Sequence, residues 1–450
     1  MYVIGSSPLG APPRPTRAAA RPASPDQVEF SGEDRSRPVS RQDLERLFAP
    51  DIKPEDQVPS FHSEVVAWSE FIPTGVESPA SIGPEGNLYF QAPGGLVALA
   101  PEGHQLWSNP TRLSRYASPV ATEDTVFAVS DYRPGQPGLI GFSTKTGQLE
   151  WEGNLENFQE APILGPDGSL YAGDYQGNVV AFNPDRSERW RTSLDNHVNG
   201  QMALGPEGNL YVIEDPGIVH AFGSEGKKLW TEESEYGNRA QTGTGVTVAP
   251  DGGVLYTTMN SHLRKVSPEG KVLWQFGASS EKRLDELSPE DQETALLAGN
   301  MELSSTPVLS PDGQTIYAGG SHGKLLAVDQ QGHKRWSVET GLDIGDDGVQ
   351  VGDDGTIYAT CDRTGQLKAF SSEGQPLWRF SSRTGGKAVV TTKGDMVYLA
   401  TDKGQVHALS SQSLAKLAGR LREQPEMVLP TLELGDSLLT VGDFHIPIED

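Results

Sequence analysis

One cysteine in 450 residues, Cys361, leaves no partner for an intrachain disulfide and excludes a metal site built from clustered cysteines. Basic charge is scarce as well. Against 61 Asp and Glu stand 36 Lys and Arg, a net charge of -25. The chain therefore lacks the basic footprint that nucleic acid or an anionic membrane surface needs in a partner. No stretch approaches the roughly 18 apolar residues of a membrane-crossing helix. The start, Met1-Tyr2-Val3-Ile4-Gly5, has no basic flank and too short an apolar run for a secretory signal, and no nearby cysteine could carry a lipid. These absences make the cytoplasm the default address, with export by a non-classical leader left open.

Turn formers are plentiful, with 51 Gly and 33 Pro, and they divide the chain. Residues 1–60 form a leader with no acid before Pro25 and with Arg14, Arg17 and Arg21 among alanines and prolines. Such a composition buries too little apolar surface to offset its ordering entropy, so the leader is expected to be disordered. Within it, Ser40 followed by Leu44, Leu47 and Phe48 predicts a short N-capped helix near 41–48.

From residue 64 to about 411 the chain repeats a unit: Pro-Asp/Glu-Gly, an apolar run with Leu-Tyr, a Gly, a run ending Ala-Phe or Ala-Leu, another Gly turn, and Trp. Tyr or Phe recurs at Tyr89, Phe127, Tyr171, Tyr211, Tyr256, Tyr317, Tyr358 and Tyr398. Trp recurs at Trp68, Trp107, Trp151, Trp190, Trp230, Trp274, Trp336 and Trp378. A period of about 40–45 residues with four short strands per unit is the spacing of a β-propeller. The runs are β-branched and aromatic, and the Pro-Asp/Glu-Gly step supplies a tight hairpin turn. The last unit has three strands and no Trp, while Glu64–Phe71 is a strand with Trp68 and no unit of its own. Joining them predicts an all-β, eight-bladed propeller of four-stranded antiparallel blades, closed by the N-terminal strand around Trp68.

Two segments lie outside the repeat. An insertion at 283–300 contains Ser288-Pro289 and Gly299, which predict the start and end of a helix over 288–299. The extension 412–450 begins with a helix over 411–424 carrying Leu414, Leu417 and Leu421. It ends with two runs, Ser437–Val441 and Phe444–Ile448, flanking Gly442-Asp443 as a hairpin.

These motifs resemble the pyrroloquinoline-quinone-type (PQQ-like) propeller repeat of quinoprotein dehydrogenases and BamB-type assembly lipoproteins. The resemblance implies the fold and, for the dehydrogenase branch, a quinone cofactor, calcium and an adjacent cysteine pair. Only Gly141–Trp151 approaches that branch's docking motif, with Gly141 for Ala and Ser143 for Asp. One cysteine cannot supply the pair, so no cofactor is expected and a quinoprotein enzyme is disfavoured. The BamB branch consists of exported lipoproteins, and neither a signal nor a lipidated Cys is recognisable here.

Other chemistry is thin. His220 and His407 precede the third-strand Ala in their units, where other units carry Val97, Ile140, Val180, Leu326 and Lys368; the reading is a variable strand position, not a metal ligand. Asp167, Asp251, Asp312, Asp353 and Asp354 are hairpin-turn residues without the alternating spacing of a calcium loop. No nucleophile–base pair stands out. The residues that begin each innermost strand, Glu77, Tyr116, Glu160, Gln201, Thr244, Ser305, Asp347 and Lys387, are candidates for a recognition rim at the channel mouth, with the 288–299 helix on the same face. The expectation is a non-enzymatic, monomeric protein-interaction scaffold that binds a protein partner through that loop face and its terminal extensions. The other readings are a ligand-binding or enzymatic propeller, and a secreted or particle component carried by the leader.

Overall fold

The computed structural model describes residues 65–449 apart from 77, 93, 115–116, 132–136, 154–159, 233–239, 241–243, 259, 277–302, 321, 362–363, 383–385, 424–430, 435–436 and 442–447. The leader, its helix near 41–48, the 288–299 helix, Glu77 and Tyr116 lie outside the described residues.

Eight antiparallel sheets follow one another along the chain, seven of them built on four consecutive short strands, two of which gain further strands from the C-terminal segment. In blade 1 these are Ser81–Ile82, Leu88–Ala92, Gly95–Leu99 and Gln105–Asn109. The last blade borrows its fourth strand from the other end of the domain. Val66–Phe71 pairs with Gln405–Ser410, placing Trp68 opposite Ala408, so the ring closes on the N-terminal strand. Eight apolar clusters fill the eight interfaces between neighbouring blades. The one formed by Tyr398, Ala408 and Trp68 with Leu88, Phe90 and Leu99 joins blade 8 to blade 1.

The repeated Trp works across blades. Trp68, Trp107, Trp190, Trp230, Trp274 and Trp336 each donate Nε1 to a carbonyl in the outer turn of the next blade, as Trp68 does to Pro101 at 2.7 Å. The ring lies flat on that turn's glycine. A Cβ on Gly226 would come within 2.6 Å of Trp190, and its φ of 74° favours glycine independently. Blade 3 departs from this arrangement. Arg186 takes the positive-φ position at 71°, lays its guanidinium 4.6 Å above Phe127 and lies 3.5 Å from Asp124. Trp151 meets Phe182 edge-on instead, at 5.3 Å.

Blade 5 corrects the reading of Tyr256. In blade 4, Tyr211 pairs with Ala221, which pairs with Trp230. In blade 5 the equivalent ladder is Leu255, Lys265 and Trp274. Tyr256 is therefore one residue late, and a one-residue offset turns a side chain to the opposite face of the sheet. It packs among Tyr211, Ala221 and Trp230 of the preceding blade. Lys265 occupies the small-residue position. Its buried Nζ is satisfied by Asp251 Oδ2 at 2.7 Å and Gln330 Oε1 at 2.6 Å.

The C-terminal segment also differs from expectation. The helix is present as Ser411–Glu423, burying Leu414, Leu417 and Ala418. Its first turn contains no acid, and Asp395 from the blade 8 hairpin caps it, accepting from Gln412 N at 2.6 Å. Of the predicted hairpin across Gly442-Asp443, residues 442–447 lie outside the described residues. Ser437–Val441 pairs with Thr431–Leu434 and with the outer strand of blade 7, Pro376–Ser382. Ile448–Glu449 extends blade 6. Outer blade strands have a free edge, and those of blades 6 and 7 accept a further strand here.

Added strands change one repeat position in a measurable way. The leucine before Trp is 43% exposed at Leu106, 48% at Leu229 and 53% at Leu273, whereas Leu377, beneath the C-terminal segment, is 7% exposed. Leu377→Ala should therefore cost about 2–4 kcal/mol, and Leu229→Ala should stay within about 0.5 kcal/mol, read as urea midpoints. Equal effects would show that the segment does not cover the blade.

Candidate functional site

The first strands of blades 1 and 2, 4 and 5, and 6 and 7 touch one another, which puts the first strands along the central channel. The residues entering them form a belt of inter-blade hydrogen bonds. Ala80 N donates to Thr391 Oγ1 at 2.8 Å, Ala121 N to Ser81 Oγ at 3.0 Å, Gly245 N to Thr306 Oγ1 at 2.7 Å and Val246 N to Gln201 O at 3.1 Å.

The proposed rim falls within this belt. Thr244 and Ser305 are fully buried and present no side chain at the mouth. Ser305 Oγ accepts from Gly319 N at 2.8 Å, inside its own blade. Glu160, Gln201 and Lys387 are half-buried. Asp347 lies in the first strand of blade 7, Ile344–Val351, where the register is irregular between Ile344 and Val349. The five positions whose side chains are described are thus not equivalent in exposure. Two are packing residues.

Polar chemistry concentrates instead beside the third strands, where His220, His407 and Lys368 were legible but Arg264 and the partners were not. His220 Nε2 meets Glu214 Oε2 at 2.6 Å, and its Nδ1 meets Thr231 Oγ1 at 3.0 Å. The same repeat position in blade 8 joins His407 Nδ1 to Ser69 Oγ at 2.8 Å. In blade 5 it is Arg264, whose NH1 lies 2.9 Å from Glu232 Oε1 and whose Nε donates to Gln275. Cross-strand pairing, not sequence spacing, assembles these groups: His220 stands opposite Thr231 and His407 opposite Ser69. The carboxylate, imidazole and hydroxyl of blade 4 have the order of a proton relay, but Glu214 and His220 are buried between strands of one sheet. The arrangement locks the blade and holds a neutral imidazole.

Burial depresses the His220 pKa although Glu214 opposes the shift, and burial with the Arg264 charge depresses that of His262. Both groups bind a proton more readily when unfolded, where His titrates near about 6.5. Their contribution to stability is present above that pH and is lost as pH falls below it. The urea midpoint should decline from pH 6.5 to 5, and His220→Gln with His262→Gln should flatten the decline.

Among the described residues no three His, Cys, Asp or Glu side chains converge as metal ligands, and no helix is long and apolar enough to cross a membrane. A cavity of about 600 Å³ lies where the C-terminal helix meets blades 7 and 8, lined by Asp353, Asp354, Asp395, Leu377 and Gln412. Its carboxylates serve the local structure. Asp395 caps the helix, Asp354 accepts from Ser411 Oγ, and Asp353 accepts from Gly394 N at 2.7 Å.

The closed ring, the Trp-on-glycine interfaces and the borrowed strand define a PQQ-like eight-bladed propeller. The family model described as outer membrane protein assembly factor BamB matches residues 38–176, 175–344 and 336–429, and the chain belongs to that family. No curated protein matches it. Among solved structures, Sqt1 of Saccharomyces cerevisiae is similar at 13% identity and a TM-score of 0.57, covering 76% of this chain and 97% of its own. The computationally designed protein Ika8 is similar at 13% identity and 0.56, over 76% and 98%. BamB from Moraxella catarrhalis is similar at 15% identity and 0.48, over 74% and 83%. At these identities the structural likenesses establish the fold alone.

Proposed function

We propose that this chain is a non-enzymatic scaffold that holds a protein partner on the outside of a rigid propeller, through a loop face at one channel mouth and through the blade edges next to its terminal extension. One observation carries the reading: the propeller already binds polypeptide. Its C-terminal helix and strands are seated on blades 6 and 7 by main-chain pairing and by Leu414, Leu417, Leu439 and Val441. The remaining outer edges present Leu106, Leu229 and Leu273 to solvent at the position that Leu377 uses to receive that segment. The family's assembly-factor description is in keeping with this role.

The test is affinity purification of the full chain after mild cross-linking, in parallel with thermal shift against a metabolite panel. A scaffold should retain a protein in fixed ratio. Recovery of none, together with a metabolite that raises the melting temperature, would replace this reading with a ligand-binding one.

A further inference from the structure

We propose that the hairpin-turn end of the channel, between blades 4, 5 and 6, receives a basic, apolar-flanked segment of the protein partner, one Lys or Arg side chain entering a proline-walled groove. The proposal rests on the scaffold reading and names its surface and partner chemistry.

The first strands of these blades end in Leu204, Val248 and Leu309, each followed two residues later by a proline. Those residues, with Pro206, Pro250 and Pro311, line a cavity of about 360 Å³. The aliphatic residues are half-exposed and the prolines exposed. This mouth is therefore apolar, the reverse of the rim expected from the residues at the other end of the same strands. Prolines have no side-chain rotamers to lose, so a groove walled by them is ordered before it is filled.

Charge selects the occupant. The residue after each proline is an exposed acid: Glu207, Asp251 and Asp312. Asp251 is already engaged by Lys265, but among the described residues neither Glu207 nor Asp312 is in an ion pair. Hydrogen bonds from Ser310 Oγ and Gln314 N hold the Asp312 carboxyl below the usual range, so it is charged at neutral pH. An apolar wall with Asp312 in its lining and Glu207 next in sequence to the lining Pro206 suits a side chain with an aliphatic stem and a cationic head, the stem lying on the prolines and the head reaching the acids. Nucleic acid and acidic proteins are repelled here, and a wholly apolar segment would leave the carboxylates unmatched.

The probe is a fluorescent peptide of alternating Lys and Leu, titrated by anisotropy against the full chain. Binding should weaken about tenfold or more in Glu207→Lys with Asp312→Asn, a loss of about 1.4 kcal/mol or more. The Asn keeps the turn's acceptor oxygen. Glu150→Lys with Glu152→Gln, on the exposed outer strand of blade 2, changes net charge equally and should leave affinity within about twofold if position rather than net charge governs binding. Glu207→Lys alone, which removes no turn hydrogen bond, should weaken binding in the same direction and guards against misfolding of the double variant. Equal loss in both double variants, no binding by the Lys-Leu peptide, or its displacement by equimolar spermidine would overturn the proposal. A partner that co-purifies equally with wild type and with the Glu207–Asp312 variant would overturn this surface while leaving the scaffold reading intact. Recovery of no partner tests that reading, not this surface.

Discussion

Replacing Trp378 by alanine should destabilise the domain by about 3–5 kcal/mol, the cost of emptying a fully buried aromatic site. Trp378 is 1% exposed and packs against Tyr358 with ring centroids 5.8 Å apart. It stands opposite Val441 in the sheet, and the C-terminal helix adds Leu414 and Leu417 to the same cluster. Trp190 has the same place in its blade, with Tyr171 and Phe222 beside it, its Nε1 bond to Ser224 O at 2.9 Å and the next blade's glycine beneath it, but it remains partly open to solvent. Its removal should cost about 1–2 kcal/mol less, because less apolar area returns to water. Urea unfolding at pH 7, followed by the fluorescence of the remaining tryptophans, measures both. The difference between the two variants reports what the C-terminal segment adds to one blade. If Trp378→Ala and Trp190→Ala were equal, the seated segment would contribute nothing to the core it covers.

The difference between those two tryptophans was not visible in the repeat, although most of the ring was. Strand count, blade count and closure follow from spacing, because each blade must place one aromatic over its neighbour's turn, and the unpaired Trp68 strand has one vacancy to fill. Register inside a blade is another matter. Pro250 to Tyr256 and Pro311 to Tyr317 have the same spacing. Blade 6 absorbs its additional residue in the turn, with Ser310 N donating to Thr315 O, and keeps Tyr317 opposite Ala327. Blade 5 closes a tighter turn, Ala249 N to Gly253 O, and shifts the strand instead. Local propensity does not distinguish these two solutions; satisfaction of buried Lys265 does, and its partner Gln330 comes from the following blade. The seating of Ser437–Val441 between Thr431–Leu434 and blade 7 was not legible for a similar reason: the open edges of blades 6 and 7 are distant in sequence. Glu160, Gln201, Thr244, Ser305 and Lys387 precede first strands, yet Thr244 and Ser305 show that an entrance polar residue can be buried within the ring.

Blade 5 also carries the second large energetic consequence. With Lys265 in the small-residue position, Arg264 turns to the opposite face and enters the interface with blade 4, where Glu232 is also buried. Tyr256 shares the site: burial and the Glu232 charge push its hydroxyl well up, against the pull of Arg264. Arg264→Met should leave Glu232 as a buried charge without its cation and cost about 3–5 kcal/mol. Glu232→Met should cost a similar amount by stranding Arg264. The double replacement should cost much less than the sum and can approach wild type, because a well-packed apolar pair avoids the desolvation of both ions. A double-mutant cycle in urea, run at pH 7 so that His262 stays neutral, gives the coupling directly. Additive losses would mean that the two charges do not depend on each other, and would place the cost in the hydrogen bonds that Arg264 makes with Gln275. A small double-mutant loss would mean that this ion pair contributes little net stability. Its role would then be to fix the blade 5 register, since in the alternative register Arg264 and Tyr256 would exchange faces with Lys265 and Leu255, parting Arg264 from Glu232 and Lys265 from Asp251 and Gln330.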